Sequence, residues 1–231
     1  MEINQNRIAD QDIYNNLSYY QNPKQYYLEM IDVISKRIVK PNNIIDIGCS
    51  NGSFLYHFNK YFTDTKIFGL EPVKELAIIA EKELKTKIFN NHFLDFEINQ
   101  KFEIISIMGV LGIFIKVEDV IKKISNLLQR DGLAIIFSPF NEENIDVILN
   151  YREAPDNDWQ SGHNLFSMRT IEYYCKKNQL SVEWRDFILK DKIDKTNDAM
   201  RSWTENFRGN KNHLFYGSNM FSTMKFAIIR N

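Results

Sequence analysis

Cysteine is scarce in this chain of 231 residues, which contains only Cys49 and Cys175. These two residues give neither the spacing of a metal site nor the framework of a disulfide-stapled fold. Such a composition suits a reducing compartment, and we expect the protein to be cytoplasmic. Cys49 lies in a glycine-containing stretch, where we interpret it as a small residue in a crowded loop rather than a nucleophile.

An excess of one charge is also absent. The 29 Lys and Arg side chains nearly balance the 30 Asp and Glu side chains, and the net charge is −1. Such a chain has no overall field to attract polyanions, and no local basic patch is evident. We therefore expect no nucleic-acid partner and a small-molecule substrate instead. The sequence leaves monomer and homodimer open.

Long hydrophobic runs are missing as well. The longest nearly apolar run, from Ile104 to Ile115, is interrupted by a serine and two glycines. It is shorter than the roughly 20 residues that a membrane-spanning helix needs. The first residues lack a basic region followed by an apolar one, so no secretory signal is predicted. We expect no membrane insertion.

The part of the sequence that says most about function runs from residue 44 to residue 71. Ile44 to Ile47 is a short apolar run that ends in a glycine-containing turn, and apolar residues then recur at helical spacing. A second apolar run ends at Glu71, 19 residues after Gly52. In an open parallel sheet, ligands bind where the first loop approaches closely and an acid ends the next strand. The stretch predicts such a nucleotide-type site.

The glycine spacing argues against a dinucleotide, because Gly48-x-Ser50-x-Gly52-Ser53 lacks two glycines of the NAD fingerprint. Asp46, Gly48, Ser50 and Gly52 instead resemble motif I of the class I S-adenosylmethionine-dependent methyltransferases, Asp/Glu-x-Gly-x-Gly-x-Gly. Serine replaces the central glycine, and a small residue still permits close approach. The resemblance covers residues 40–137 well, and beyond 138 it is architectural.

The resemblance implies the cofactor S-adenosyl-L-methionine and a set of residues that hold it. Glu71, followed by Pro72, would hold the ribose hydroxyls, and Asp95, followed by Phe96, would lie beside the adenine amino group. The turn at Met108 and Gly109 would lie beside the methionine half. The segment from Tyr14 to Tyr20 would fold over the cofactor, with Tyr14 and Tyr19 as candidate contacts. Simple packing by the tyrosines, and a solvated loop acid at Asp95, are the structural alternatives.

The expected fold is a three-layer α/β sandwich with a seven-stranded, mostly parallel sheet, in which strands six and seven are antiparallel. We predict a single domain with an amino-terminal cap and helix at 1–40, a Rossmann-like core at 41–138 and the rest of the sheet at 139–231. An apolar run predicts strand four at 102–108, and helical spacing predicts a helix from Val117 to Leu128. Strand five is predicted at 133–137, the last helix at 167–178 with Ser167 as its cap, strand six at 180–189 and strand seven at 224–230. Two extra pieces, at 139–166 and 190–222, are expected on the substrate side.

The two extra pieces supply the candidates for acceptor chemistry. An imidazole is a common proton acceptor near neutral pH, so His163 is the first candidate for a general base and His213 the second. His57 is expected to face outward. Arg152 and Arg201 could grip an anionic group, and Trp159 and Trp203 could stack on a ring. The alternatives are a hydrogen-bonded structural histidine, surface salt bridges and tryptophans that close the insertion.

These features favour a methyltransferase for a small polar molecule, with O-methylation of a sugar, sugar nucleotide or glycan precursor as the leading hypothesis. No metal spacing is evident, so a metal-assisted mechanism is not expected. The alternatives are an N-methyltransferase of an amine or protein side chain, and a non-catalytic module that binds the cofactor or its product. An NAD-dependent enzyme is a further alternative.

Overall fold

The computed structural model describes residues 16–152, 155–156, 158–190, 192–196, 203–207, 210–215 and 223–230. Its centre is a seven-stranded sheet with the order β3-β2-β1-β4-β5-β11-β8. The strands are β1 (Asn43–Ile47), β2 (Lys66–Leu70), β3 (Ile88–Phe89), β4 (Phe102–Met108), β5 (Leu128–Phe140), β8 (Ser181–Asp186) and β11 (Thr223–Arg230). The predicted fold class is confirmed.

The strand directions follow the expected pattern. The four pairings that join β3, β2, β1, β4 and β5 are parallel, whereas β11 runs antiparallel to both β5 and β8. The strands predicted as six and seven, β8 and β11, are therefore antiparallel to each other. Since β8 is antiparallel to β11, it runs in the same direction as the first five strands, and its last residue lies at the carboxyl edge of the sheet.

In the part of the chain that the structure describes, five helices cover the two faces of the sheet: α1 (Gln25–Ser35), α2 (Ser53–Tyr61), α3 (Lys74–Leu84), α4 (Val117–Leu127) and α5 (Met168–Lys177). In α4, apolar residues at helical spacing are buried while Glu118 and Asp119 occupy its first turn. One hydrophobic cluster includes α4 and α5 residues, and the other includes residues of α1, α2 and α3. The sheet thus lies between two apolar layers.

Several boundaries differ from the sequence prediction. Strand β5 begins directly after α4 and runs from Leu128 to Phe140, longer at both ends than the predicted 133–137. Asp131 has a φ of +60°, and the register with β4 shifts between Phe102 and Ile104, so an irregular stretch precedes the regular pairing. Strand β8 is shorter than predicted and ends at Asp186. The Ser167 cap of α5 is confirmed, because its side chain accepts from the Thr170 amide.

The two predicted extra pieces each contain a pair of short antiparallel strands that the sequence pattern did not reveal. The first contains β6 (Asn150–Tyr151) and β7 (Gln160–Ser161), and the second contains β9 (Trp203–Phe207) and β10 (Asn210–Phe215). Both pieces follow strands whose carboxyl ends lie at the same edge of the sheet, β5 and β8.

Within the described ranges, no helix has the length and apolar character needed to cross a bilayer.

Candidate active site

The loop after β1 passes through left-handed backbone conformations. Gly48 has φ +71° and Gly52 has φ +86°, and Ser50 between them has φ 52°. A Cβ atom on Gly48 would lie 2.5 Å from the Val110 Cγ2 atom, so a larger residue is excluded there by both conformation and space. The small residues therefore keep this loop tight and leave its backbone accessible to a ligand.

Glu71 at the end of β2 is bound to that loop. Its Oε2 atom accepts a hydrogen bond of 2.8 Å from the Ser50 amide, and its Oε1 atom accepts one of 2.9 Å from the Val73 amide. The residue is 5% exposed. Burial raises the pKa of Glu71 above its ordinary value, while the hydrogen bonds from Val73 and Ser50 act in the opposite direction. The carboxylate lies at the loop, where the motif predicts that a sugar binds.

Asp46, the acid of the predicted motif, is buried in β1. Its Oδ1 atom accepts a hydrogen bond of 2.7 Å from the Ser106 hydroxyl on β4. Burial raises the pKa of Asp46 to about 8, with the Ser106 hydrogen bond lowering it and the charge of Glu71 raising it further. Burial therefore favours the protonated form of this side chain, and a cation placed beside it would favour the ionised form.

A cleft that is open to solvent lies between the loop, α1 and the start of α2. Of the predicted cofactor residues, Tyr19, Asp46, Gly48, Ser50 and Met108 line it. Lys24, Tyr26 and Tyr27 also line it, although no sequence motif indicated a site role for them. The predicted helix placed these tyrosines near its start, but periodicity did not show that the start of α1 faces the cleft.

Residues 16–20 pack against the loop and α2. The Tyr20 hydroxyl donates to the Asn51 carbonyl, and the Asn51 Nδ2 atom donates to the Asn16 carbonyl over 3.3 Å. The His57 Nε2 atom lies 2.7 Å from the Tyr19 carbonyl oxygen, so the prediction that His57 faces outward is wrong. The structure thus brings Tyr19 to the cleft, whereas Tyr14 falls outside the described residues.

The loop after β3 reaches the same edge of the sheet as Glu71. The Glu71 amide donates to the Phe89 carbonyl over 2.9 Å, and the Asn90 Nδ2 atom donates to the carbonyls of Glu71 and Pro72. Further along the loop, Asp95 is exposed. Phe96 is 3% exposed and packs on Phe89 with ring centroids 4.9 Å apart. Phe96 therefore has a packing role, and the adenine contact of Asp95 stays a prediction.

The first extra piece is attached to the loop after β4 through Asn164. The Asn164 backbone amide donates to the Gly112 carbonyl over 2.7 Å. The Asn164 side chain donates from Nδ2 to the Phe114 carbonyl over 2.9 Å and accepts at Oδ1 from the Leu149 amide over 3.0 Å. A Cβ atom on Gly112 would lie 3.5 Å from the His163 Cα atom. His163 is thus placed beside the loop that follows Met108 and Gly109.

The other acceptor candidates are more dispersed. The Arg152 guanidinium lies 5.0 Å from the centroid of the Trp159 ring, which is 63% exposed. Trp203 is 8% exposed, its Nε1 atom donates to Glu205 over 3.2 Å, and the Lys195 ammonium lies 4.6 Å from the centroid of its ring. His213 lies opposite Glu205 in the register of β10 and β9. Arg201 falls outside the described residues.

No cluster of three or more His, Cys, Asp or Glu side chains suited to a metal ion occurs in the described part of the chain. Cys49 is 5% exposed, and burial raises the pKa of its thiol well above the ordinary value. A Cβ atom on Gly69 would lie 2.6 Å from the Cys49 sulfur, so this side chain fills a crowded space.

Comparisons with known proteins show that this chain is similar to methyltransferases. A family model described as "Methyltransferase domain" matches residues 19–183. A carboxy-S-adenosyl-L-methionine synthase of Nautilia profundicola is 25% identical over 53% of this chain and 58% of its own length. A dTDP-3-amino-3,4,6-trideoxy-alpha-D-glucopyranose N,N-dimethyltransferase of Streptomyces venezuelae is 26% identical over 54% of this chain and 55% of its own length. The matches thus span little more than half of these curated relatives.

Solved structures share the fold over nearly the whole chain. Streptomyces venezuelae DesVI has a TM-score of 0.59 and 15% identity, with 98% of this chain and 99% of that chain covered. CalS10, an amino pentose methyltransferase from Micromonospora echinaspora solved with S-adenosylmethionine bound, has a TM-score of 0.61 and 11% identity, with 100% and 99% covered. The similarity of fold therefore extends beyond residue 138.

Proposed function

Because the chain belongs to the class I S-adenosylmethionine-dependent methyltransferases, we propose that it transfers a methyl group from S-adenosyl-L-methionine to a sugar or sugar nucleotide. The single observation that carries the cofactor part is the buried Glu71 carboxylate bound to the Ser50 amide at the end of β2. It supports binding of a ribose there, since a carboxylate can accept hydrogen bonds from vicinal hydroxyls. The open cleft beside Gly48 and Met108 supports a place for the rest of the cofactor.

The side chains that would hold the cofactor have charges that suit those of S-adenosylmethionine. Bound S-adenosylmethionine supplies a methyl group already activated on a sulfonium, so alignment is the main task that remains for the protein. Glu71 would accept from the ribose, and Asp46, whose pKa is raised to about 8, would gain a favourable partner in a nearby cation. Residues 16–20, which are hydrogen-bonded to Asn51 and His57, would limit access of water to the cleft.

An amino group on the sugar is the first acceptor candidate. The S. venezuelae relative is named for dimethylation of an amino sugar carried on dTDP, and CalS10 is named as an amino pentose methyltransferase. KedS8 from Streptoalloteichus, a sugar N-methyltransferase, has a TM-score of 0.55 over 89% of this chain. An amine attacks through its lone pair, which becomes available when the ammonium form loses a proton. The neutral amine then needs no further base for the in-line displacement.

A hydroxyl group is the second candidate, and the position of His163 favours it. Its backbone lies against Gly112, in the loop that follows the cleft residue Met108. A hydroxyl acceptor needs a base to remove its proton, and an imidazole at this edge of the sheet would suit that role. Arg152 stacked on the exposed Trp159 ring would offer a flat cationic surface to a nucleotide carrier.

The test is a transfer assay with methyl-labelled S-adenosylmethionine and two matched acceptors, a dTDP-amino sugar and the dTDP sugar with a hydroxyl at the same carbon. Labelled product from the amine alone supports the first candidate. Product from the hydroxyl, lost in His163→Ala, supports the second. If neither acceptor is labelled although S-adenosylhomocysteine binds tightly, the proposed sugar substrate is wrong, and a non-catalytic binding module becomes the better interpretation.

A further inference from the structure

A buried lysine lies at the carboxyl edge of the sheet, outside the cleft. Lys225, near the start of β11, is opposite Ser138 of β5 and Asp186 of β8 in the strand register. Its Nζ atom lies 2.6 Å from Asp186 Oδ1 and 2.8 Å from Glu142 Oε1. The lysine side chain is 7% exposed, whereas those of Asp186 and Glu142 are 75% and 58% exposed. The cation is thus enclosed while its two partners reach solvent.

Stability alone is a weak reason for such an arrangement. Removing a lysine ammonium from water is costly, and replacing a buried ion pair by apolar side chains is often neutral or stabilising. Burial acts to lower the pKa of Lys225, but the hydrogen bonds to Asp186 and Glu142 outweigh it and hold the pKa above its ordinary value. The side chain is therefore a cation at neutral pH and holds both carboxylates.

The two carboxylates lie near the points where the chain enters the two substrate-side pieces, 139–166 and 190–222. Glu142 comes two residues after the end of β5, at the start of the first piece. Asp186 is the last residue of β8, and the chain then leaves the sheet toward the second piece. Lys225 therefore fixes the points at which both pieces leave the carboxyl edge of the sheet.

A cluster of packed aromatic side chains connects the end of β8, at Asp186, to the cleft. Phe187, next to Asp186, packs against Phe137 at 4.9 Å and against Tyr26 at 6.5 Å between ring centroids. Tyr26 lines the cleft and stacks on Phe137 at 4.6 Å. Phe137 is opposite the cleft residue Met108 in the register of β4. Since neighbouring strands lie about 4.8 Å apart, β11 is about 10 Å from β4, a distance that a bound sugar can span.

We propose that Lys225 is a positioning residue for the methyl acceptor: by holding Glu142 and Asp186, it sets how the two substrate-side pieces enclose the acceptor beside the cleft. This inference rests on the proposed function for the acceptor itself. It requires no contact between Lys225 and the reacting atoms. It assigns the acceptor a place over the ends of β5 and β8, with the cofactor over the ends of β1 and β2.

The experiment compares Lys225→Met with Arg37→Met. Arg37 is a suitable control because its side chain is 18% exposed and its guanidinium forms a 2.7 Å ion pair with Glu183, also on β8 but nearer the amino end. For each variant, acceptor KM and kcat, S-adenosylhomocysteine affinity and backbone hydrogen exchange in 141–149 and 187–190 are measured. Lys225→Arg is included because it retains the charge.

We expect Lys225→Met to raise the acceptor KM about tenfold or more, with S-adenosylhomocysteine affinity within about twofold of wild type. Backbone hydrogen exchange in 141–149 and 187–190 should become faster. Lys225→Arg should lie between wild type and Lys225→Met in both acceptor KM and exchange rate. Arg37→Met should change neither the KM nor this exchange. Equal KM and equal exchange in Lys225→Met and wild type would overturn the inference.

Failure of the proposed function gives a different result. If the wild-type protein methylates neither acceptor, the sugar assignment is wrong, and the exchange comparison alone then decides the role of Lys225. Unchanged exchange in Lys225→Met would show that the lysine does not hold these segments. A Lys225→Met protein that fails to fold would be replaced by the pair Glu142→Gln and Asp186→Asn, which leave the lysine in place and remove one partner each.

Discussion

The Glu71 carboxylate accepts a hydrogen bond of 2.8 Å from the Ser50 amide, and this contact joins the end of β2 to the loop after β1. Two separate sequence features, a motif acid and a glycine-containing turn, therefore form one site. The second oxygen of Glu71 binds the Val73 amide at the start of α3, which fixes the orientation of the carboxylate.

Asp46 should make stability depend on pH. The folded protein holds the Asp46 proton up to a pKa of about 8, whereas an ordinary aspartate releases it near 3.8. This contribution to the free energy of unfolding is therefore complete below about pH 4 and declines as the pH rises to 8, by up to about 1.4 kcal/mol per unit. In Asp46→Asn this decline should be absent. Urea unfolding of both proteins between about pH 5 and pH 8 measures it, and parallel profiles would contradict the raised pKa.

Gly48→Ala should be more damaging than Gly109→Ala. Both glycines have positive φ, +71° and +69°, so alanine costs about 1–2 kcal/mol at either position. Only at Gly48 does the added Cβ meet another group, Val110 Cγ2 at 2.5 Å, while Gly109 has open space. Denaturant unfolding should show a clearly larger loss of stability for Gly48→Ala. Equal losses in the two variants would mean that the loop does not pack on Val110 as described.

Tyr20→Phe should loosen residues 16–20. The change removes the hydrogen bond to the Asn51 carbonyl and keeps the ring beside Tyr56, at a centroid distance of 4.8 Å. We expect a loss of about 1 kcal/mol in stability and a several-fold faster dissociation of S-adenosylhomocysteine in stopped-flow experiments. Tyr61→Phe is the control, because that tyrosine is 63% exposed. The same dissociation rate in all three proteins would show that the segment does not retain the ligand.

Asn164→Ala should affect the acceptor side and spare the cofactor side. It leaves the Leu149 amide and the Phe114 carbonyl without their partner, which costs about 1–3 kcal/mol for the buried Phe114 carbonyl and less for the part-buried Leu149 amide. Because Asn164 ties the first extra piece to the loop at Gly112, we expect a lower kcat/KM for the acceptor and an unchanged affinity for S-adenosylhomocysteine. Calorimetry and steady-state kinetics test this. A loss of affinity with unchanged kcat/KM would place the piece on the cofactor side instead.

The sequence was most informative where one local pattern determines the structure. The buried strand at Phe102–Met108, the helix that begins at Val117 and the Ser167 cap were all predicted from spacing or residue type alone. Glu71 was found because a motif fixes its place at the end of a strand.

Features that depend on distant contacts could not be predicted from the pattern. The ion pairs of Lys225 join residues from three separate parts of the chain, and nothing in the neighbouring residues marks that lysine. His57 was expected to face outward, because helical spacing does not reveal that the Tyr19 carbonyl approaches it. The four short strands of the extra pieces lack the alternating pattern of a longer strand, and they were missed for that reason.

Calorimetric titration of S-adenosylhomocysteine into wild type, Glu71→Gln and Glu75→Gln tests the central claim most directly. Glu75, in the exposed first turn of α3, is the matched control. We predict that Glu71→Gln weakens binding about 10- to 100-fold, as expected for loss of hydrogen bonds to a charged group, while Glu75→Gln binds as wild type does. NAD should give no heat of binding with any of the three. Wild-type affinity in Glu71→Gln would contradict the account.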